Sequence, residues 1–167
     1  MEARFNADEM LAMAEQIERN GRDFYRAAAV IAPDEKSMEL LAELARWEEG
    51  HESVFIKMRC DLPDDQRALP LFDSNTEHEL YLQAIADTRV FDMRKEVTVL
   101  ARELGSIRDI LSYAMKMEHD SILFYVGLRG AVPPEFGRRK VDDLIKEEMD
   151  HVAFLKKRLA ELEAATA

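Results

Sequence analysis

Glu148-Met149-Asp150-His151 and, a hundred residues earlier, Glu48-Glu49-Gly50-His51 each place a carboxylate and an imidazole three residues apart. On an α-helix that spacing puts both groups on one face. A single Glu-x-x-His in an acidic chain reads as a solvated surface pair. The second copy changes its weight, because each is preceded by an echo of its own: Glu18 with Phe24-Tyr25, and Glu118 with Phe124-Tyr125. Laid over each other without a gap, residues 14–58 and 114–158 agree at ten positions: Ala14, Glu18, Phe24, Tyr25, Pro33, Glu35, Leu44, Glu48, His51 and Lys57. Composition alone gives about three.

Glu18 lies fifteen residues before Pro33 and Glu48 fifteen after it. At ~1.5 Å per helical residue both stand ~22 Å from a turn at Pro33, so a helical hairpin sets them at one level. Pro133 does the same for Glu118 and Glu148. The pattern predicts a first helix after Asn6, with Glu9 completing a capping box, running to about Ala32. Leu11, Ala14, Glu18, Gly21, Tyr25 and Ala28 form its inner stripe, with Met10, Met13, Ile17, Phe24 and Ile31 beside it. The second helix covers about Asp34 to Cys60, with Leu41, Leu44, Glu48, His51, Phe55 and Met58 inside. Residues 61–75, with Pro63 and Pro70, read as a loop, and about Thr76 to Leu104 as a helical crossover in two pieces. Gly105 ends that stretch and Ser106-x-x-Asp109 starts the next helix. The third helix spans about Ile107 to Gly130, with Leu111, Ala114, Glu118, Ser121, Tyr125 and Leu128 inside. The fourth spans about Pro134 to Ala164, with Val141, Leu144, Glu148, His151 and Leu155 inside. No strand pattern competes. The fold class expected is all-α: a four-helix bundle of two repeated hairpins joined by a long, partly helical crossover.

The 167 residues suit one domain over 1–167, large enough to bury a core without staples. A net charge of −11 argues against nucleic-acid and anionic-membrane partners. Cys60 is the single cysteine, which excludes a disulfide framework or a thiolate metal site and fits a reducing cytosol. The N-terminus lacks a signal-peptide pattern and no window approaches a membrane span, so a cytoplasmic protein is expected.

Glu18, Glu48, His51, Glu118, Glu148 and His151 all fall on seams otherwise filled by apolar residues. Four buried carboxylates close together repel one another, and they must take up protons or find a counter-charge. The sequence offers no matching inward row of Lys or Arg. Two divalent cations would cancel four carboxylates and accept imidazole nitrogen as well, and such donors suit iron, manganese or zinc.

In number, order and spacing, Glu18-x-x-Gly21-x-x-Phe24-Tyr25, Glu48-x-x-His51, Glu118-x-x-Ser121-x-x-Phe124-Tyr125 and Glu148-x-x-His151 resemble the rubrerythrin branch of the ferritin-like di-iron carboxylate proteins. The resemblance implies two iron ions, with manganese or zinc as alternatives. Glu48 and Glu148 would bridge them, Glu18 with His51 would complete one end, and Glu118 with His151 the other. It further implies Tyr25 and Tyr125 as donors to ligand carboxylates and Glu147 as a support that orients His51, with Trp47 at the equivalent position of the other half. The activity implied is redox handling of peroxide or dioxygen, in a homodimer served by a separate electron-donor protein. Ferroxidase and iron storage, or a non-enzymatic metal-binding bundle, are the alternatives. Two departures stand out: Ser121 occupies the position of a further rubrerythrin carboxylate, and no rubredoxin cysteines are present. His78 and His119 are expected at the surface, Trp47 and the methionines in the core, and Gly137-Arg138-Arg139-Lys140 as a solvated helix start too small to hold an anion.

Overall fold

Asn6 caps the first helix from both sides: its Oδ1 accepts from the Glu9 amide at 2.8 Å, and its own amide donates to the Glu9 carboxylate at 3.0 Å. The computed structural model describes residues 6–67, 97–132, 134 and 137–166. Within them the helices are α1 (Ala7–Ile31), α2 (Glu35–Cys60), α3 (Asp64–Arg67), α4 (Val97–Glu103), α5 (Ile107–Ala131) and α6 (Arg138–Thr166), and no β-strand occurs among the described residues. Within the stretch expected as a loop, Asp64–Arg67 instead forms one helical turn, closed by the Arg67 amide donating to the Pro63 carbonyl at 3.2 Å, and Val97–Glu103 is a helical piece of the expected crossover. Residues 68–96 and the turn residue Pro133 lie outside the described residues.

The turns follow local chemistry. Pro33 sits in the link between α1 and α2, and Asp34 caps α2 by accepting from the Ser37 amide at 2.9 Å. Gly105 takes a φ of 74°, a left-handed conformation that ends α4, and Ser106 then caps α5. The fourth long helix begins later than expected, at Arg138 rather than Pro134. Gly137 has a φ of 106°, which a right-handed helix cannot include.

α1 packs closely along α2 and α5 along α6, whereas α1 with α5 and α2 with α6 touch more sparingly. The bundle is thus two tight hairpins laid side by side, with the polar residues on the looser seam between them. Ion pairs tie its ends. Arg59 and Arg67 both reach Asp8, while Arg158 reaches Asp34 and donates to Ser37 Oγ at 3.1 Å. The inner stripes read from the sequence are buried throughout, except in the flanking row of α1, where Met13 is partly buried and Ile31 is exposed at the helix end.

The apolar core divides in two. One cluster gathers Met10, Leu11, Phe55, Phe124 and Leu144 around Tyr125; the other gathers Phe24, Leu41, Leu44, Leu111 and Leu155 around Tyr25. Each fully buried Phe or Leu contributes roughly 1.5–3 kcal/mol. These two clusters close off the polar layer between them from either end of the bundle. Met10 and Met58 belong to the core, but Met38 and Met149 are exposed, against the expectation that the methionines fill it.

Candidate metal centre

Glu18, Glu48, His51, Glu118, Glu148 and His151 come from all four long helices and are each no more than 4% exposed. They form two sets, Glu18, Glu48, His51 and Glu148, and Glu48, Glu118, Glu148 and His151, whose donor atoms lie within 4.8 Å of one another in each set. Glu48 and Glu148 belong to both. His51 Nδ1 lies 3.0 Å from Glu148 Oε1 and 3.4 Å from Glu18 Oε2. His151 Nδ1 lies 2.9 Å from Glu148 Oε2 and 3.5 Å from both Glu48 Oε1 and Glu118 Oε1.

The surroundings fix these donors. The Tyr25 hydroxyl donates to Glu118 Oε1 and the Tyr125 hydroxyl to Glu18 Oε1, so each phenol crosses from its own hairpin to the opposite one. That leaves Glu18 Oε2 facing the centre. Gly21 makes room for Glu48, since a Cβ there would stand 2.9 Å from Glu48 Oε2. Its counterpart Ser121 bonds back to the Met117 carbonyl at 3.1 Å. Glu147 Oε2 lies 2.9 Å from His51 Nε2. At the equivalent place beside His151 the half-buried Trp47 stacks on the imidazole, with ring centres 5.0 Å apart and planes within 8°. His51 and His151 in turn stack at 5.4 Å. Trp47 therefore serves the polar layer as well as packing against the core cluster around Tyr25.

Burial pushes the Glu48 carboxyl well above its usual range, reinforced by the charges of Glu18, Glu148 and Glu118. Burial likewise raises Glu118 to about 7. On Glu148 burial and Glu18 push upward, but the two imidazoles beside it prevail and hold it below its ordinary value. Burial alone would lower His51 and His151; the neighbouring carboxylates, Glu148 and Glu18 for one and Glu118 and Glu148 for the other, outweigh it and raise them to about 11 and about 9. Burial first, then the adjacent carboxylate, raises both tyrosines, which therefore remain protonated donors. In the absence of metal, protons thus supply the counter-charge.

Protons leave the directions of the atoms unexplained. Glu18 Oε2, Glu48 Oε1, both oxygens of Glu148 and the Nδ1 atoms of both histidines are buried, converge on one layer, and meet no well-directed hydrogen bond among the described residues. A buried polar atom left without a hydrogen bond costs about 1–3 kcal/mol, comparable with the gain from burying a core Phe. Carboxylate oxygen with imidazole nitrogen, in two sets sharing two carboxylates, fits a pair of iron, manganese or zinc ions. The sequence did not reveal the crossed tyrosine bonds, the space left by Gly21, or the stacking of Trp47 on His151. The mismatch of Trp47 with Glu147, directly before the matched Glu48 and Glu148, was the one available signal for the last. His119 is exposed, as expected, and His78 lies outside the described residues.

A solved structure from Thermotoga maritima, described provisionally as a ferritin-like diiron-carboxylate protein, superposes with a TM-score of 0.75 at 20% identity, covering 96% of this chain and 99% of its own. The likeness establishes the ferritin-like four-helix fold over nearly the whole chain. No protein-family profile matches the sequence, and no curated protein matches it.

Proposed function

We propose that this chain is a binuclear metal protein, di-iron in its working form, that reacts with peroxide or dioxygen. The observation that supports this most is the pair of four-residue sets with Glu48 and Glu148 in common, in which every member but Glu118 has a buried donor atom without a hydrogen bond. Glu18 and His51 would complete one metal position, Glu118 and His151 the other. Bound iron would supply one-electron redox chemistry toward the oxidant.

The chain's own residues set the terms of that chemistry. Tyr125 holds Oε1 of Glu18 and leaves Oε2 for the centre, while Tyr25 donates to Oε1 of Glu118, the oxygen that also lies 3.5 Å from His151 Nδ1; each phenol thereby orients its carboxylate. The two apolar clusters exclude water along the bundle axis, so charge on the donors is felt at low dielectric. Glu147 anchors the far nitrogen of His51 and turns Nδ1 inward. The rubrerythrin-like order of motifs supports a redox role in a homodimer that draws electrons from a separate protein.

The deciding experiment is an anaerobic Fe(II) titration, followed by separate mixing with oxygen and with peroxide. Two equivalents bound per chain and a rapid optical change with one oxidant are expected. Binding of two metals without any optical change would leave them a structural role, and reproducible binding of one would refute the paired site. The ferroxidase alternative predicts continued Fe(II) oxidation beyond two equivalents, with mineral in a large assembly.

A further inference from the structure

Along the seam between α2 and α6 runs an open groove of about 580 Å³, within the size range of small-molecule sites. In a chain of net charge −11 its lining is unexpectedly rich in cations: Arg46, Lys57 and Lys140, against Asp143 and Glu147. Both acids are engaged, Asp143 with Lys146 at 3.5 Å and Glu147 with His51 at 2.9 Å. Lys57 pairs with Asp61 at 3.3 Å, but Arg46 and Lys140 have no ion-pair partner among the described residues. In the sequence Gly137-Arg138-Arg139-Lys140 is too small to hold an anion; the fold brings Lys140 to the same groove as two cations of α2.

Apart from His51, the rest of the groove is apolar. Val54 and Leu144 line it, with the Trp47 indole toward one end. Gly50 lies between Trp47 and Val54 on α2, and a Cβ there would meet nothing within 4 Å. Glycine weakens a helix interior, and no close packing requires it here. Its missing side chain instead leaves a recess in the groove beside His51.

We propose that this groove binds a small aryl carboxylate, its ring over Gly50 between Trp47 and Val54 and its carboxylate at the end held by Lys57 and Lys140. The antiparallel run of α2 against α6, fixed by the contacts of His51 with Glu147 and of Trp47 with Phe154, places both lysines toward the end of the groove away from Trp47. Charge complementarity selects the anion and the apolar recess selects the ring. Such a ligand rests against the imidazole that Glu147 holds. The groove is formed by protein alone, so this inference stands whether or not the centre holds metal.

Trp47 is the only tryptophan, so its fluorescence reports on the groove directly. The purified full chain is titrated with phenylacetate, neutral phenylacetamide and hexanoate, before and after chelation, with metal content measured in parallel. Saturable change is expected with phenylacetate, at lower concentration than with the other two, and unaltered by chelation. Equal binding of phenylacetamide would overturn the anion, and tighter binding of hexanoate the aromatic body. Lys140→Glu should weaken phenylacetate by at least about fivefold while leaving the amide unchanged. Gly50→Leu should fill the recess, abolish the response and raise the Tm, since it replaces a helix glycine at a position with free space. Unchanged phenylacetate binding in both variants would refute the groove as the site.

Discussion

The two halves of the centre present the same donors in different settings. Glu18 with His51 and Glu118 with His151 are repeats of each other, and the crossed phenols of Tyr125 and Tyr25 keep that symmetry. The symmetry stops one contact further out. His51 has the carboxylate of Glu147 on its far nitrogen and the open groove beside it, whereas His151 has the face of Trp47. Glu48 has the bare backbone of Gly21 next to it, while the position matching Gly21 in the other half is Ser121. The repeat therefore supplies the donors that could hold metal, and the unmatched neighbours predict that the two positions differ in strength.

The largest effect expected separates shared from unshared donors. Glu148 lies within reach of both histidines, so Glu148→Gln should reduce bound metal from two per chain to nearly none. His51→Ala and His151→Ala should each remove one. Elemental analysis after Fe(II) loading and desalting reads the difference. Two metals retained by Glu148→Gln, or both lost from either histidine variant, would erase the distinction between bridge and ends.

Next in size is the stability difference between loaded and chelated protein. Free metal at a hundred times its Kd stabilises by ~2.7 kcal/mol for one site, which for a chain of this length corresponds to a Tm shift of about 5–10 °C. The shift should depend on pH. Glu118, His151 and His51 have folded pKa values raised to about 7, 9 and 11, above their unfolded values of 4.5, 6.5 and 6.5. Groups raised in this way give stability that is complete below the unfolded pKa and is lost as pH rises through the folded one. Glu148, which is lowered, has the opposite sign, but its loss falls below pH 4.5, outside the window. Chelated protein should therefore lose stability steadily from about pH 5 to 9. Metal displaces those protons, so the gap between loaded and chelated melting temperatures should widen over the same range. A chelated form whose Tm rises from pH 5 to 9 would contradict the assignment of protons as counter-charge.

What the sequence revealed and what it concealed divide along the same line. Glu18, Glu48, His51 and their counterparts were legible because a helix converts spacing into a shared face, and because the turn at Pro33 fixes which residues of two antiparallel helices lie at one level. The caps at Asn6 and Ser106 were legible because capping is a matter of three residues. The bond from Tyr25 to Glu118 was not, since it depends on how the hairpins sit against each other, and Tyr25 lies nearer in sequence to Glu18. Trp47 was read only as core, against which it does pack; its stacking on His151 was hidden because size and hydrophobicity say nothing of which ring it will meet. Gly21 was read as one more small residue of the inner stripe; its function is a volume left empty for a side chain from another helix.

The difference between the supports of the two histidines should appear as unequal metal affinities. Removing a carboxylate that orients a metal-bound imidazole weakens binding by about 10–100-fold. Glu147→Ala should do this at the position of His51 and spare that of His151. Trp47→Leu, which removes stacking but no hydrogen bond, should weaken the other position by no more than a few-fold. Binding isotherms with Mn(II) or Fe(II) resolve the two steps. Equal effects of both variants on both steps would mean that the positions are too strongly coupled to be assigned separate supports.

The smallest effect concerns Gly21 and Ser121, and it is informative because stability and binding should move in opposite directions. Gly21→Ala adds a Cβ 2.9 Å from Glu48 Oε2, the end of a flexible side chain, so the carboxylate can yield and the helix is not broken. Alanine improves helix propensity by up to ~1 kcal/mol, and the metal-free protein should therefore melt at the same temperature or slightly higher. The displaced carboxylate is a shared donor, however, and metal binding should weaken several-fold at both positions. Ser121→Ala is the control: it removes a bond to the Met117 carbonyl that touches no donor, and should leave metal affinity unchanged. Shortening the carboxylate relieves the contact, so Gly21→Ala combined with Glu48→Asp should lose less affinity than the two single changes added together. Strict additivity in that cycle, measured as metal affinity at one pH, would show that the space beside Gly21 is not what positions Glu48.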